Sequence, residues 1–231
     1  MDPQKVKGII LALVNAKDPA KEAEFNKWMD EVHCPHVAET PGTIGYIRFE
    51  NVAPKADTPK FLNIYELDRP DADAAMAWMS QNLQKSYAAK GIVTPIAAYH
   101  VGAYRLIFDR VKEARPEPEG IMVGLLKLND PTREQEYNTW YNTKHLPAII
   151  STRHFIAGFR GKTLAANVKP TDYLMLAEIG TPDIAGADDE RKQGMLKFPE
   201  SWRGSQGLAT PLFGAQFKRM GHRKDTTRVK K

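Results

Sequence analysis

The chain has a single cysteine, Cys34, so no internal disulfide can form, which fits a reducing, cytoplasmic setting. It has no long apolar run near its start: Ile9 to Val14 is too short for a secretory signal or a membrane span. It has no Gly-x-Gly-x-x-Gly and no P-loop pattern, so dinucleotide and nucleoside triphosphate chemistry lack support. Nor does its body carry an excess of one charge. The net charge of +5 is concentrated from Lys218 onward, where seven Lys/Arg face one acid, and 26 basic and 27 acidic residues make up the rest. A nucleic-acid binder carries its charge as a patch on the fold, so neither a nucleic-acid nor a membrane partner is expected. Residues 220–231 read as a disordered basic tail. His33-Cys34-Pro35-His36 has ligand-like spacing, but fewer than four clustered ligands argues against zinc, and no metal is expected.

What the chain does have is one stretch written twice. Phe25-Asn26-Lys27-Trp28-Met29-Asp30-Glu31-Val32-His33-Cys34-Pro35 returns as Tyr137-Asn138-Thr139-Trp140-Tyr141-Asn142-Thr143-Lys144-His145-Leu146-Pro147, 112 positions later. The same offset pairs Asp18-Pro19 with Asp130-Pro131, Arg48 with Arg160 and Glu66 with Glu178. A constant register over that length marks an internal duplication. The expected units are 1–109 and 120–219, joined by a Pro-rich linker at 110–119. In each, aliphatic and alternating runs predict strands, and Asp-Pro signals predict helix starts, giving the order βαββαβ. The first long helix should stop near His33, because Pro35 disfavours α conformation at Cys34. Along that helix Phe25, Met29 and His33 fall four apart, so the imidazole is expected on the apolar face. The second helix of the second unit is interrupted by Phe198-Pro199 and Gly204.

The order βαββαβ is ferredoxin-like and by itself says little about function. Combined with a first helix ending in Trp-x4-His-x-Pro, then a strand carrying Arg and a strand ending in Glu, it resembles the dimeric α/β-barrel superfamily, in particular its EthD-like members. The resemblance covers about 8–103 and 120–219. It implies an α+β fold in which two ferredoxin-like repeats form an intramolecular dimeric α/β barrel, with helices outside. Relatives of that kind include cofactor-free monooxygenases, isomerases, cyclases, dehydratases and decarboxylases, together with haem-using branches.

His33 and His145 are the candidate acid–base groups, since an imidazole moves protons near neutral pH. Tyr141, one turn before His145, could share its hydrogen-bond network; the competing reading is that each His ties down a helix end. Arg48 and Arg160, with Glu66 and Glu178, either bind substrate or form structural Arg–Glu pairs across the sheet, the latter being favoured. Trp28, Tyr46, Tyr65, Trp140 and Tyr173 are candidate walls for an aromatic substrate. The expectation is a cofactor-independent lyase of the decarboxylase or dehydratase type, its two imidazoles looking into a hydrophobic chamber and acting on a small, aromatic molecule. The alternatives are a cofactor-free aromatic monooxygenase, an isomerase or cyclase, and a ligand-binding barrel without catalysis. A homodimer of the fused barrel is left open.

Overall fold

The computed structural model of the chain describes residues 1–113, 117–163, 172–203 and 207–226, the side chains of 202 and 203 excepted. Strands β1 (Gly8–Ala16), β2 (Thr43–Asn51), β3 (Phe61–Leu67) and β4 (Ile96–Val111) form one antiparallel set in the order β4-β1-β3-β2. Strands β5 (Gly120–Leu128), β6 (Phe155–Thr163), β7 (Tyr173–Ile179) and β8 (Ala209–Arg219) form another, in the matching order β8-β5-β7-β6. Pairing of β4 with β6 and of β2 with β8 joins the sets at both edges, so the sheet closes on itself and leaves no edge within the ring. The fold is therefore α+β around a closed antiparallel sheet.

Helices α1 (Glu22–Trp28), α2 (Cys34–Ala38) and α3 (Ala72–Ala89) cover the first set, and α4 (Glu134–Trp140), α5 (Leu146–Ser151), α6 (Ile184–Met195) and α7 (Pro199–Arg203) the second. Asp18 and Asp130 start the first helices as expected, their carboxylates accepting from Ala20 N at 3.0 Å and Thr132 N at 2.9 Å. The expected stop near His33 is not observed. Met29–His33 and Tyr141–His145 each form a π turn, and the chain then continues as α2 and α5 through Pro35 and Pro147. Each proline occupies the first turn of the new helix, where its missing N–H costs nothing.

Alternation along the strands separates three cores. Leu11, Leu13, Phe49, Leu62, Phe159 and Leu176 point inward and, with their neighbours, fill the ring. Phe25, Met29, Tyr65 and Ala103 lie between the first set and its helices, and Tyr137, Tyr141, Leu146 and Tyr173 between the second set and its own. Each fully buried Leu or Phe contributes about 1.5–3 kcal/mol relative to exposure. Inside the ring, His100 and Tyr104 are fully buried and hydrogen-bonded at 2.7 Å, and Gly102 leaves the space they occupy. At the ring's mouth, between Glu66, Glu178 and Arg223, the open space is about 10 Å³, room for one water. The expected chamber between the halves is thus filled by aliphatic and aromatic side chains.

The linker and tail expectations also change. β4 runs to Val111 because its last residues pair with β6. Residues 220–226, expected to be disordered, fold back: Lys224–Asp225 form β9 against Gly45–Tyr46 of β2. The remainder of the expected tail, 227–231, and positions 114–116 of the linker lie outside the described residues.

Candidate functional site

His33 and His145 do not face the ring. The π turn widens the helix by one residue, which shifts the phase of the stripe so that Phe25 and Met29 are buried while His33 is only half-buried. Its Nδ1 lies 2.9 Å from the Tyr87 hydroxyl on α3, and its ring stacks on Trp28 at 5.1 Å. His145 repeats the arrangement, with Nδ1 2.8 Å from the Ser201 carbonyl on α7 and its ring on Trp140 at 4.8 Å. Burial pushes both imidazoles down to about 4, so both are neutral at pH 7. The geometry makes each a tie between its π turn and a later helix of the same set, α3 for His33 and α7 for His145. Tyr141 stands edge-on to His145 at 4.7 Å, and burial pushes its phenol up.

The arginines and glutamates are not paired with each other. Arg48 and Arg160 project from the outer face of β2 and β6, whereas Glu66 and Glu178 project into the ring, because the register sets Glu66 opposite Gly45 and Glu178 opposite Ala157, each three residues from the arginine and so on the other face. Arg48 is 5% exposed and donates to Asp30 Oδ1 at 2.7 Å, Asn26 Oδ1 at 2.7 Å and Asn63 Oδ1 at 3.1 Å. Arg160 donates to Asn142 Oδ1 at 2.6 Å and Asn138 Oδ1 at 2.9 Å, and its guanidinium lies 4.3–5.1 Å from the ring centres of Tyr137, Tyr141 and Tyr173. The carboxylate that faces Arg48 is thus an amide facing Arg160. Glu66 accepts from Arg223 at 2.6 Å, and Glu178 from the Met1 ammonium.

One groove gathers several of the candidates. Asp30 of the π turn, Tyr46 and Arg48 of β2, and His222 and Lys224 of the returning segment line about 290 Å³ of open space. Tyr65 lies behind Tyr46, ring centres 5.9 Å apart, and does not line it. Burial pushes the Tyr46 phenol up to about 12, so it remains a donor at neutral pH. Arg160, Tyr173 and Trp140 lie on the second unit, away from this groove, with Trp140 Nε1 donating to Glu200 O at 3.0 Å. The sequence reading missed Asn26, Asp30 and Asn63, which orient Arg48, and the two groove residues of the supposed tail. The first of these were legible: Asn26 and Asn138 recur at the same offset.

No family model and no curated protein matches the chain. Solved structures do. An anthrone oxidase-like protein is 14% identical over 98% of this chain and 96% of its own, with a TM-score of 0.57. A candidate monooxygenase from Fusobacterium nucleatum is 12% identical over 96% and 94%, with 0.58. A dye-decolorizing peroxidase from Bacteroides thetaiotaomicron is 9% identical over 93% of each, also with 0.58. The likeness is one of fold. It agrees with the ferredoxin-like α+β barrels, and the names it brings together are those of oxidative enzymes. That overturns the lyase expectation, since none of these neighbours is a decarboxylase or dehydratase.

The haem-using branches of such barrels invite a test of fit. A haem needs an apolar slot with an axial ligand at its wall, most often an imidazole. Among the described residues, His100 is enclosed in the filled ring beside Tyr104, and His36 lines an open groove of about 420 Å³ where Trp78, Met79 and Leu83 are mixed with Glu39, Asn82, Lys85 and Ser86. His222 lines the smaller charged groove over Arg48 and is bound to Glu117 at 2.8 Å. These surroundings do not fit haem.

Proposed function

We propose that the chain is an enzyme that oxidises a small phenol with molecular oxygen, at the groove over Arg48 and without an organic cofactor. The observation that carries this reading is the Asp30–Arg48 pair, 2.7 Å apart, at the wall of a groove that also presents the Tyr46 phenol. Asp30 is the base that takes the phenolic proton, and the fixed guanidinium of Arg48 holds the resulting phenolate. Ionisation raises the electron density of the ring, which then reduces oxygen. The balanced outcome is phenol plus O2 giving quinone plus water: one oxygen atom enters the ring and the other leaves as water with the two displaced hydrogens.

The names of the structural neighbours support an oxidative reaction in preference to the isomerase and cyclase alternatives. We also propose that the two βαββαβ units, 1–109 and 120–219, arose by duplication of one EthD-like ancestor; the repeated stretch and the constant 112-residue offset support this. The test of function is an oxygen electrode with a panel of phenols. The proposal expects uptake of one O2 per quinone formed, without added cofactor. No uptake with any phenol that binds would overturn it.

A further inference from the structure

The returning segment 222–226 does more than close the ring's mouth. It is held at four places: His222 and Arg223 N bind Glu117 at 2.8 and 2.9 Å, Arg223 binds Glu66, Thr226 Oγ1 donates to Thr43 O at 2.7 Å, and β9 pairs with β2. Gly45 makes this possible, since a Cβ there would overlap the Arg223 guanidinium. The register places Lys224 opposite Tyr46, and residues opposite each other in an antiparallel pair share a face. Arg48, two residues along β2 from Tyr46, lies on that same face, roughly 7 Å further on by the rise of a strand. Arg48, Tyr46 and Lys224 therefore share one groove wall.

The charge of the two cations is not balanced equally. Arg48 is neutralised by Asp30. Lys224 has no ion pair among the described residues, and its place in the segment is fixed by the bonds on either side of it. Resting on the proposed function, we infer that the substrate is a phenol that also carries a carboxylate across the ring, with the carboxylate on Lys224, the phenolic oxygen at Asp30 and Arg48, and the ring over Tyr46. Lys224 is then the specificity-determining residue. The two cations lie on different strands, two positions apart in register, so the substrate needs its two oxygen functions at opposite ends of a ring.

The experiment is calorimetric titration of the full chain with 4-hydroxybenzoate and with its neutral isostere 4-hydroxybenzamide. Wild type should bind the acid about threefold to fivefold more tightly than the amide, the range of a partly exposed ion pair. Lys224→Gln should bring the two to equal affinity without altering that for the amide, and Lys224→Glu should reverse the preference. Equal binding of acid and amide by wild type, an unchanged preference in Lys224→Gln, or no binding of either would overturn the inference. Tight binding of 4-hydroxybenzoate with no oxygen uptake would instead sink the oxidative reaction and leave the recognition standing.

Discussion

Acid should unfold this protein through two histidines that take no part in the proposed chemistry. His33 and His145 are held neutral by burial at about 4, against 6.5 for an imidazole in the unfolded chain. Below pH 6.5 the unfolded state binds protons that the folded state refuses, so stability falls as pH falls, and the loss is complete only below about 4. Integrated from pH 7 to 5, each histidine contributes a loss of about 2 kcal/mol, and the pair about 4. Glu134 and Asp188, whose carboxyls are held low by Lys162 and by Lys192 and Arg191, add their losses mainly below that window. Urea unfolding at pH 7, 6 and 5 of wild type and of the His33→Gln/His145→Gln double variant isolates the effect. The double variant should be weaker at pH 7, having lost packing, yet should lose about 4 kcal/mol less than wild type between pH 7 and 5. Parallel pH dependences for the two proteins would refute the reasoning, and would mean that both rings are protonated in the folded state.

Other perturbations follow from single contacts. Arg160→Lys should lose about 2 kcal/mol in chemical denaturation, because a lysine cannot both lie against three tyrosine rings and donate to two asparagine amides. Gly45→Ala should release the segment 222–226, read as faster amide hydrogen exchange at Arg223 and Thr226 while the strands of the ring stay protected. The Cys34 thiol, fully buried and pushed up to about 11 mainly by desolvation, should react with iodoacetamide at pH 8 only after unfolding.

Much of the fold could be read in advance, and the reasons are local. Alternation predicts strands at 44–52 and 61–67, within a residue of β2 and β3, Asp-Pro marks both helix starts, and the repeated stretch implies two units of one strand order. What was misread depends on register between distant segments. Pro35 reads as a helix stop, yet a π turn moves it into the first turn of a new helix, an outcome that no periodicity rule contains. Arg48 and Glu66 look like a cross-strand pair by position, but strand pleating sends one outward and the other into the ring. Residues 220–226 look like solvated tail by charge, and they are fixed in place by the Glu66 and Glu117 carboxylates and by strand β2, all more than 100 positions earlier. The candidate site shows the same division, with Arg48 and Tyr46 legible as strand residues and Lys224 hidden until β9 is seen.

The account stands on oxidation taking place over Arg48 and not at the imidazoles, and oxygen uptake by four single variants tests that most directly. Arg48→Gln and Asp30→Asn should each abolish turnover of a phenol that wild type oxidises, while His33→Gln and His145→Gln retain most of it at pH 7.5. Turnover that survives loss of Arg48 but disappears with either histidine would contradict it.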